Sequence, residues 1–389
     1  MKRDNMLKFR SEQVWHISKL LLAYLISLCT KKQELWLVSE RGGDARDNGL
    51  WFFKYMKDHH AEIRVKYIID KNSEDRNRLL EYEGDLLDFR SIRHYVCLWK
   101  ATHLISSHIQ GYAPFVGLGL WMKKNIKKYG GKVHVALKHG ITKDLVHFLD
   151  YSNTLVDLMV AGAKPEYDYF RTAYGYPESC VKYTGFCRFD QLYSCQTKRQ
   201  ILVMPTWREW IYEKKKFAGT EFARTFLHFL KSPDLQGILQ ENDIQLVFYL
   251  HHAMQPYIET FLQESFDTHV IIAKEEEYDV QQLLKESALL ITDYSSVYFD
   301  FAYMQKPIIF YHFDLDKYRQ QHYAEGWFDY NHSFGPVVMS EDALVAAIQQ
   351  CVDCDFSMDD QYKAYVDECF PLRDNHNTER VFESIKSLA

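Results

Sequence analysis

Cysteine is sparse in this 389-residue chain. Its eight cysteines are scattered, at positions 29, 97, 180, 187, 195, 351, 354 and 369. That density is too low for a disulfide scaffold and is typical of small buried side chains in a reducing compartment. Cys351 and Cys354 form a C-x-x-C motif, but no second cysteine pair or histidine pair accompanies them. One face of a C-terminal helix is the favoured interpretation, with a zinc or redox site as the alternative.

An excess of charge of one sign is also absent. The 47 basic and 53 acidic side chains leave a formal net charge of −6. A general nucleic-acid binder usually carries a basic surplus, so this class of protein is disfavoured and no nucleic-acid partner is expected. An anionic ligand is still compatible with the sequence, because the field in a pocket depends on the residues that line it.

The sequence has no secretory signal pattern and no hydrophobic run long enough to span a bilayer. Its most apolar stretch, at 20–29, is preceded by His16, Ser18 and Lys19. The stretch falls short of the roughly 20 apolar residues that a transmembrane helix needs. The sequence therefore predicts an N-terminal helix over 1–30 that lies either in the core or on a membrane surface.

Short β-rich segments alternate with helical patterns along the rest of the chain. They lie at 34–38, 63–69, 102–106, 133–137, 157–161, 181–185, 201–205, 245–250, 269–273, 288–292 and 307–311. This βα alternation predicts parallel sheets with helices on both faces. The length exceeds that of a typical single core, and the polar stretch at 190–200 marks a joint. We therefore expect one domain over 31–190 and a second over 196–389.

Polar and charged side chains follow several of these segments. They include Arg41, Asp47 and Asn48 after the first segment, His139 and Gly140 after the fourth, Thr206 and Arg208 after the seventh, His251 and His252 after the eighth, and Asp293, Ser295 and Ser296 after the tenth. Open α/β sheets bind ligands just beyond the carboxyl ends of their strands. The pattern predicts an active site in a cleft between the two domains.

The segment ITDYSSVYFDFA joins a predicted strand to a helix and predicts a phosphate site. Backbone amides at a helix N-terminus favour an anion, and Ser295 and Ser296 add hydroxyl donors. Helix capping alone would explain one of Asp293 and the two serines, not all three. Arg208 is the expected second clamp, because guanidinium binds phosphate oxygens bidentately. Asp300 is expected to anchor the loop or to bind ligand hydroxyls.

Two histidines are candidates for chemistry on a phosphate ester. His139 precedes Gly140, which lets the backbone approach a ligand closely. As a neutral imidazole, His139 can take a proton from an attacking hydroxyl; a structural hydrogen-bonding role is the alternative. His251 and His252 are adjacent, so in an extended segment they point in opposite directions. We expect His251 to face the cleft, as a donor to a departing phosphate.

Six segments carry a family resemblance: SERGGDARDNGLWFFKY, ALKHGITKD, VAGAKPEYDYF, KYTGFCRFD, MPTWREW and LLKESALLITDYSSVYFDFAYMQKPIIFY. Together they resemble the bacterial CDP-glycerol glycerophosphotransferase family, the teichoic-acid and capsule polymer synthases, over most of the chain. The resemblance implies a GT-B fold, an α/β architecture in which two Rossmann-like domains face each other across a cleft. It implies that the nucleotide donor binds the C-terminal domain and that the acceptor approaches from the N-terminal one.

The resemblance also implies a reaction. An alditol phosphate, of glycerol or ribitol, would pass from a CDP-alditol to an acceptor hydroxyl of a teichoic acid or capsular polysaccharide, with release of CMP. His139 matches the family's HG histidine, the candidate base, and His251 most nearly matches its second histidine. Ser295 and Ser296 match the donor-phosphate serines. The chain has HGITKD where the family often has HGTPLK, so Lys143 is displaced from that pattern.

No cofactor is needed for such a transfer, and no metal is expected. Asp314 and Asp316 have the D-x-D spacing that other nucleotide-sugar transferases use for a divalent ion, but a helix cap is the favoured interpretation. A glycosyltransferase that uses a nucleotide sugar on the same scaffold is the alternative function, because fold does not fix function. A non-catalytic nucleotide sensor is the second alternative.

The segment at 121–132 combines five lysines with three apolar side chains. They are Lys123, Lys124, Lys127, Lys128 and Lys132, with Trp121, Met122 and Ile126. Basic residues beside apolar anchors suit an anionic membrane surface; a solvated lysine-rich helix is the alternative. With a lipid-linked acceptor, we expect a cytoplasmic protein bound peripherally to the inner face of the cell membrane.

Overall fold

A computed structural model describes residues 2–29, 33–115, 117–193, 196–211, 214–321 and 325–388, and omits the side chains of 2–14 and 214–216. The chain divides into two compact units. The first unit comprises 1–139, 147–190 and 374–389, and the second comprises 140–146 and 191–373. Over the ranges described, no helix is long and apolar enough to cross a membrane.

The first unit is built on a parallel sheet with seven strands in the part of the chain described. They are β1 (Trp36–Ser39), β2 (Val65–Ile69), β3 (Leu86–Asp88), β4 (His103–Ser106), β5 (Val133–Ala136), β6 (Leu158–Ala161) and β7 (Val181–Tyr183). Their order is β3-β2-β1-β4-β5-β6-β7. The winding reverses between β1 and β4, and such a switch point opens a crevice beyond the carboxyl ends of the strands.

Seven α-helices of the first unit precede or connect these strands in the part of the chain described. They are α1 (Lys2–Leu28), α2 (Asn48–His59), α3 (Ile92–Lys100), α4 (Leu118–Asn125), α5 (Lys127–Gly130), α6 (Tyr151–Thr154) and α7 (Lys164–Thr172), with 3₁₀ helices at Glu74–Asp85, His147–Leu149, Glu178–Cys180 and Cys187–Gln191. The helix α1 packs on α3 through a stripe with helical spacing that includes His16, Leu20 and Ala23. The indole of Trp99 donates to the carbonyl of Leu20 at 2.9 Å.

The predicted lysine-rich segment is only partly available to a surface partner. Lys124, Lys127 and Lys128 are exposed, but the other two lysines are not. Lys123 forms an ion pair with Asp157 at 2.9 Å. Lys132 is buried and donates to the carbonyls of Trp99 and Ala101 at the end of α3, and burial lowers its pKa to about 8. These two contacts correct the expectation that all five lysines face a membrane.

The second unit repeats the same winding with six parallel strands over the residues described. They are β8 (Gln200–Val203), β9 (Gln245–Tyr249), β10 (Val270–Ala273), β11 (Leu289–Thr292), β12 (Ile308–Tyr311) and β13 (Val337–Val338), in the order β10-β9-β8-β11-β12-β13. The helices are α8 (Glu221–Leu230), α9 (Pro233–Glu241), α10 (Glu259–Leu262), α11 (Val280–Glu286), α12 (Tyr298–Tyr303), α13 (Leu315–Gln321), α14 (Glu341–Asp353) and α15 (Asp360–Cys369), with 3₁₀ helices at Lys214–Gly219 and His252–Tyr257. The switch point lies between β8 and β11.

The last helix, α16 (Asn377–Lys386), belongs to the first unit. Phe382 stacks on His60 with ring centroids 3.7 Å apart, and the backbone N–H of Thr378 donates to Asp190 at 2.8 Å. The sequence placed 374–389 in the second domain, and these contacts correct that boundary. An amphipathic helix shows which of its faces is buried, but not which sheet it packs against.

Candidate active site

His139 lies three residues beyond β5, at the carboxyl edge of the first sheet. Its ring stacks on that of His108, which follows β4, with centroids 4.5 Å apart and an interplanar angle of 20°. Nε of Arg41, which follows β1, donates to Nε2 of His108 at 3.1 Å. Side chains from the ends of β1, β4 and β5 therefore converge at the switch point of the first unit.

Both imidazoles are held in the neutral form. His139 keeps exposed surface, yet desolvation by the surrounding protein, followed by electrostatic interactions with His108, Lys138 and Arg41, holds its pKa well below the ordinary value. Burial and the Arg41 charge lower the pKa of His108 to about 4. A neutral imidazole is the form that can accept a proton.

The backbone that carries His139 is clamped by hydrogen bonds. Lys138 has φ +62°, a left-handed conformation that is unusual for a residue other than glycine. Asn48 Nδ2 donates to the carbonyl of Lys138 at 2.8 Å, and Arg188 Nη1 donates to the carbonyl of His139 at 3.2 Å. Arg188 also pairs with Asp47 at 2.7 Å, and its backbone N–H donates to Asn48 Oδ1 at 3.0 Å. One network thus fixes the turn that presents the imidazole.

This network gives Asp47 and Asn48, two of the polar residues predicted at the active site, contacts within the protein. Asn48 is completely buried, and both ends of its amide are bonded to backbone groups. Asp47 caps α2 and holds Arg188. The sequence analysis did not single out Arg188, although it lies three residues after the predicted strand at 181–185 and within the segment KYTGFCRFD.

Two buried acidic residues that the sequence did not single out support the same edge. Glu166 pairs with Lys138 at 3.2 Å, with both side chains buried, which supplies the partner that a buried lysine requires. Glu40 accepts backbone N–H bonds from Arg46, Asp47 and Leu50 at the start of α2. Burial and the nearby Asp47 charge nevertheless raise the pKa of Glu40 to about 8.

In the second unit, Ser295 and Ser296 follow β11 and are half-buried. Ser295 Oγ accepts from the N–H of Val297 at 3.4 Å. The helix α12 has only six residues, so its dipole adds little, and the hydroxyls must carry most of the predicted phosphate contact. Gly140 belongs to this unit and lies against Ser296: a Cβ on Gly140 would be 2.9 Å from the serine Oγ.

Arg208 has a different role from the predicted pyrophosphate clamp. Its guanidinium is fully buried, with Nε 2.7 Å from Asp314 Oδ2, Nη2 2.8 Å from Asp293 Oδ2, and Nη1 2.6 Å from the carbonyl of Thr206. Burial alone would raise the pKa of Asp293, but the Arg208 charge and the hydrogen bonds to the carboxylate together outweigh burial, and the pKa lies below its ordinary value. Arg208 therefore joins the loops after β8, β11 and β12, and does not reach a ligand directly.

Other polar groups surround the same loops. Thr206 donates its N–H to Asp293 at 2.8 Å, while its buried hydroxyl has no hydrogen-bond partner within the described residues. The ring of His312 lies 3.3 Å from the carbonyl of Asp293, and burial lowers the pKa of His312 to about 4. Asp300 is buried in the first turn of α12. Lys143 is buried and pairs with its neighbour Asp144.

The two adjacent histidines after β9 have different surroundings. His251 is half-buried, and its Nδ1 accepts the N–H of Ala253 at 3.1 Å. A neutral His251 ring therefore carries its proton on Nε2 and can donate from there. His252 has a side chain that is 77% exposed and pairs with Glu275 at 2.5 Å.

The D-x-D spacing does not form a metal site of its own. Asp314 is committed to Arg208, and its carbonyl accepts the N–H of Tyr318 in α13. Within the ranges that the structure covers, no group of three His, Cys, Asp or Glu side chains is placed to hold a metal ion.

Known proteins share this architecture. The chain is 28% identical to the minor teichoic acid biosynthesis protein GgaB of Bacillus subtilis (strain 168), over 92% of this chain and 40% of that protein. It is 23% identical to the teichoic acid poly(glycerol phosphate) polymerase of Bacillus spizizenii (strain W23), over 99% of this chain and all of that protein. The chain thus spans less than half of GgaB.

Among solved structures, the wall teichoic acid polymerase TagF superposes with a TM-score of 0.70 at 16% identity, over 98% of both chains. This likeness confirms the GT-B fold predicted from the sequence. The family model described as CDP-Glycerol:Poly(glycerophosphate) glycerophosphotransferase matches residues 21–387. The chain therefore belongs to the CDP-glycerol:poly(glycerophosphate) glycerophosphotransferase family.

Proposed function

We propose that this protein transfers an alditol phosphate, of glycerol or ribitol, from a CDP-alditol to an acceptor hydroxyl of a teichoic acid or capsular polysaccharide, with release of CMP. The proposal rests on one observation in a chain that matches the family over 21–387. His139, the histidine of the HG motif, lies at the carboxyl edge of its sheet, where its surroundings lower its pKa and Arg188 holds its backbone carbonyl.

In the proposed mechanism, His139 takes the proton of the acceptor hydroxyl as its oxygen attacks the phosphorus that bears the alditol. A new P–O bond forms to the acceptor, the bond to the bridging oxygen breaks, and CMP leaves with that electron pair. Ser295, Ser296 and Thr206 supply hydroxyls to the donor phosphates, and His251 donates from Nε2 to the charge on CMP. Such transfers depend mainly on positioning and electrostatic stabilisation.

The transfer is tested by CMP release from CDP-glycerol and CDP-ribitol, offered separately to the purified protein with a lipid-linked glycan acceptor. We expect CMP and a phosphodiester-linked product from one donor, with activity retained in excess EDTA. Release of a nucleoside diphosphate from a nucleotide sugar, with a glycosidic product, would instead establish the alternative glycosyltransferase. Absence of CMP with a competent acceptor would overturn the proposal.

We further propose that α1 rests on the inner face of the cell membrane. Opposite its buried stripe, α1 carries large apolar side chains that are 39% to 61% exposed: Trp15, Ile17, Leu21, Leu22, Leu25, Ile26 and Leu28. Exposed apolar clusters of this kind mark interaction surfaces. Lys128 Nζ lies 5.3 Å from the ring of Tyr24 on α1, and with Lys124 and Lys127 it supplies positive charge for anionic lipid.

Vesicle co-sedimentation tests this surface. We expect binding to vesicles that contain an anionic phospholipid and weaker binding to neutral vesicles. Leu21→Glu with Leu25→Glu should abolish binding, whereas Leu80→Glu, a matched change at a leucine that is 59% exposed in the Glu74–Asp85 segment, should not. Equal binding by all three proteins would refute the proposed face.

A further inference from the structure

A shallow cavity, largely open to solvent, lies at the carboxyl edge of β1, β2 and β3 in the first unit. Its volume is about 560 Å³, within the range of small-molecule sites. The loops that follow these three strands line it, with Gly42, Asp70, Asn72, Ser73, Phe89 and Arg90 among the lining residues.

One wall of the cavity suits an anion. Arg90 is exposed, and its guanidinium carbon lies 5.1 Å from the centre of the Phe89 ring. Its Nε donates to the carbonyl of Pro114 at 2.8 Å, which orients the planar group for bidentate pairing with phosphate oxygens.

The backbone of Arg90 is also constrained. Its φ is +62°, in the left-handed region. The N–H of Arg90 donates to Nδ1 of His94 at 3.1 Å, and its carbonyl accepts from Nζ of Lys19 on α1 at 2.9 Å. Non-glycine residues held in sparsely populated conformations cluster at functional sites, which agrees with the place of Arg90 in the cavity lining.

The part of the cavity lined by the loop after β2 suits hydroxyl groups. Asp70 accepts the backbone N–H of Asn72 at 2.8 Å, and the Asn72 side chain is exposed. The hydroxyl of Ser73 donates to the carbonyl of Gly43. A carboxylate, an amide and a hydroxyl beside a guanidinium are complementary to a ligand that carries both a phosphate and free hydroxyls.

The cavity lies on the same edge of the sheet as His139. Gly42 directly follows Arg41, whose Nε binds His108, and His108 stacks on His139. Since β2 and β5 are three strand positions apart, and neighbouring strands lie about 4.8 Å apart, the two sites are separated by roughly 14 Å. A ligand that occupies both must be an extended chain.

We propose that this cavity binds an upstream alditol phosphate unit of the acceptor chain, while the terminal hydroxyl of that chain reaches His139. The inference rests on the proposed function and adds to it a subsite that makes acceptor affinity depend on the length of the acceptor chain. The phosphate pairs with Arg90, and the alditol hydroxyls contact Asp70 and Asn72. The bond from Lys19 to Arg90 ties this subsite to α1, the helix proposed to contact the membrane that holds a lipid-linked acceptor.

The test compares synthetic glycerol-phosphate acceptors of one unit and of six units. With the unaltered protein, the six-unit acceptor should have the lower KM. Arg90→Gln should remove most of that advantage, raising KM for the six-unit acceptor roughly tenfold, as expected for loss of a charge-assisted contact. Arg93→Gln, which removes an exposed arginine three residues away on α3, is the matched control and should retain the length dependence.

Two further measurements keep the test decisive. Asn72→Ala changes an exposed side chain on a different lining loop and should also weaken the length dependence, so the result does not depend on the fold of the Arg90 variant. Calorimetric binding of the six-unit acceptor, without donor, reports the subsite even if no transfer occurs. An identical length dependence in the unaltered protein and both cavity variants would overturn the inference, while absence of any transfer would count against the proposed function alone.

Discussion

Arg188 donates from Nη1 to the carbonyl oxygen of His139 at 3.2 Å. The two residues are 49 positions apart in sequence, yet the contact sets the backbone orientation of the proposed base. Asp47 holds Arg188 in place, because its carboxylate pairs with the same guanidinium nitrogen at 2.7 Å. Arg188 is thus a positioning residue, which acts on chemistry only through His139.

Replacing Arg188 by Met should lower kcat for CMP release by roughly 10- to 100-fold, because small errors in the placement of reacting groups are costly. The KM for the CDP-alditol should change little, since the arginine acts in the first unit. Arg171→Met, at an arginine with a 38% exposed side chain paired with Glu178, is the control and should leave kcat unaltered. If Arg188→Met and Arg188→Lys lose kcat to the same extent and thermal stability to the same extent, Arg188 has only a structural role.

His139→Ala should reduce kcat by about 10²–10⁴-fold, the usual contribution of a general base. Binding of CDP-glycerol, measured by calorimetry, should be retained because the hydroxyls proposed to contact its phosphates belong to Ser295, Ser296 and Thr206. His147→Ala, at a histidine with a 79% exposed side chain, serves as the matched control. Full activity of His139→Ala would remove the base from the mechanism.

Much of the fold followed from local sequence patterns. Each predicted β segment corresponds to a strand, because buried parallel strands are continuous apolar runs bounded by turn residues. The short strands β3 and β13 were missed, since three and two residues are too few to show a pattern. Both lie at sheet edges, where pairing to a single neighbour defines them.

The site was less predictable than the fold. Because His139 and Ser295 each follow a predicted strand, the sequence correctly placed them at the carboxyl edges of their sheets, where the chain leaves a parallel strand. It did not separate residues that face a ligand from residues that hold others in place. Asn48 and Arg208 have the same types of donor as ligand-binding residues, and only their long-range partners show that both are internal.

Arg208→Met should lower the free energy of unfolding by about 3–5 kcal/mol, because it leaves Asp293 and Asp314 buried without their counter-charge. Arg199→Met breaks a comparable pair with Asp355, but that pair is exposed and the change should be at most about 1 kcal/mol. Urea unfolding of the three proteins provides the measurement. Similar midpoints for both variants would contradict the internal role of Arg208.

Gly140→Ala should displace the hydroxyl of Ser296, because the added methyl would lie 2.9 Å from that oxygen. We expect a several-fold higher KM for the CDP-alditol. Gly237→Ala, in the interior of α9 where a Cβ meets nothing within 4 Å, controls for the substitution itself and should stabilise the protein by about 0.5–1 kcal/mol. An unaltered KM in Gly140→Ala would show that the Ser296 hydroxyl does not contact the donor.

The value of kcat should stay high at lower pH than it would with a histidine base of ordinary pKa. Lowering the pKa of a base means that its charged form appears only at lower pH, so His139 stays neutral, and active, below about pH 6.5. Removing one of the positive charges that disfavour protonation, with Arg41→Gln, should shift the acid limb upward, and the shift should shrink in high salt because Arg41 is exposed. Arg93→Gln should not move the limb. An acid limb at the ordinary histidine value in the unaltered protein would show that the surroundings of His139 do not lower its pKa. An unmoved limb in Arg41→Gln would show that Arg41 does not contribute, and would leave desolvation and the other nearby charges as the cause.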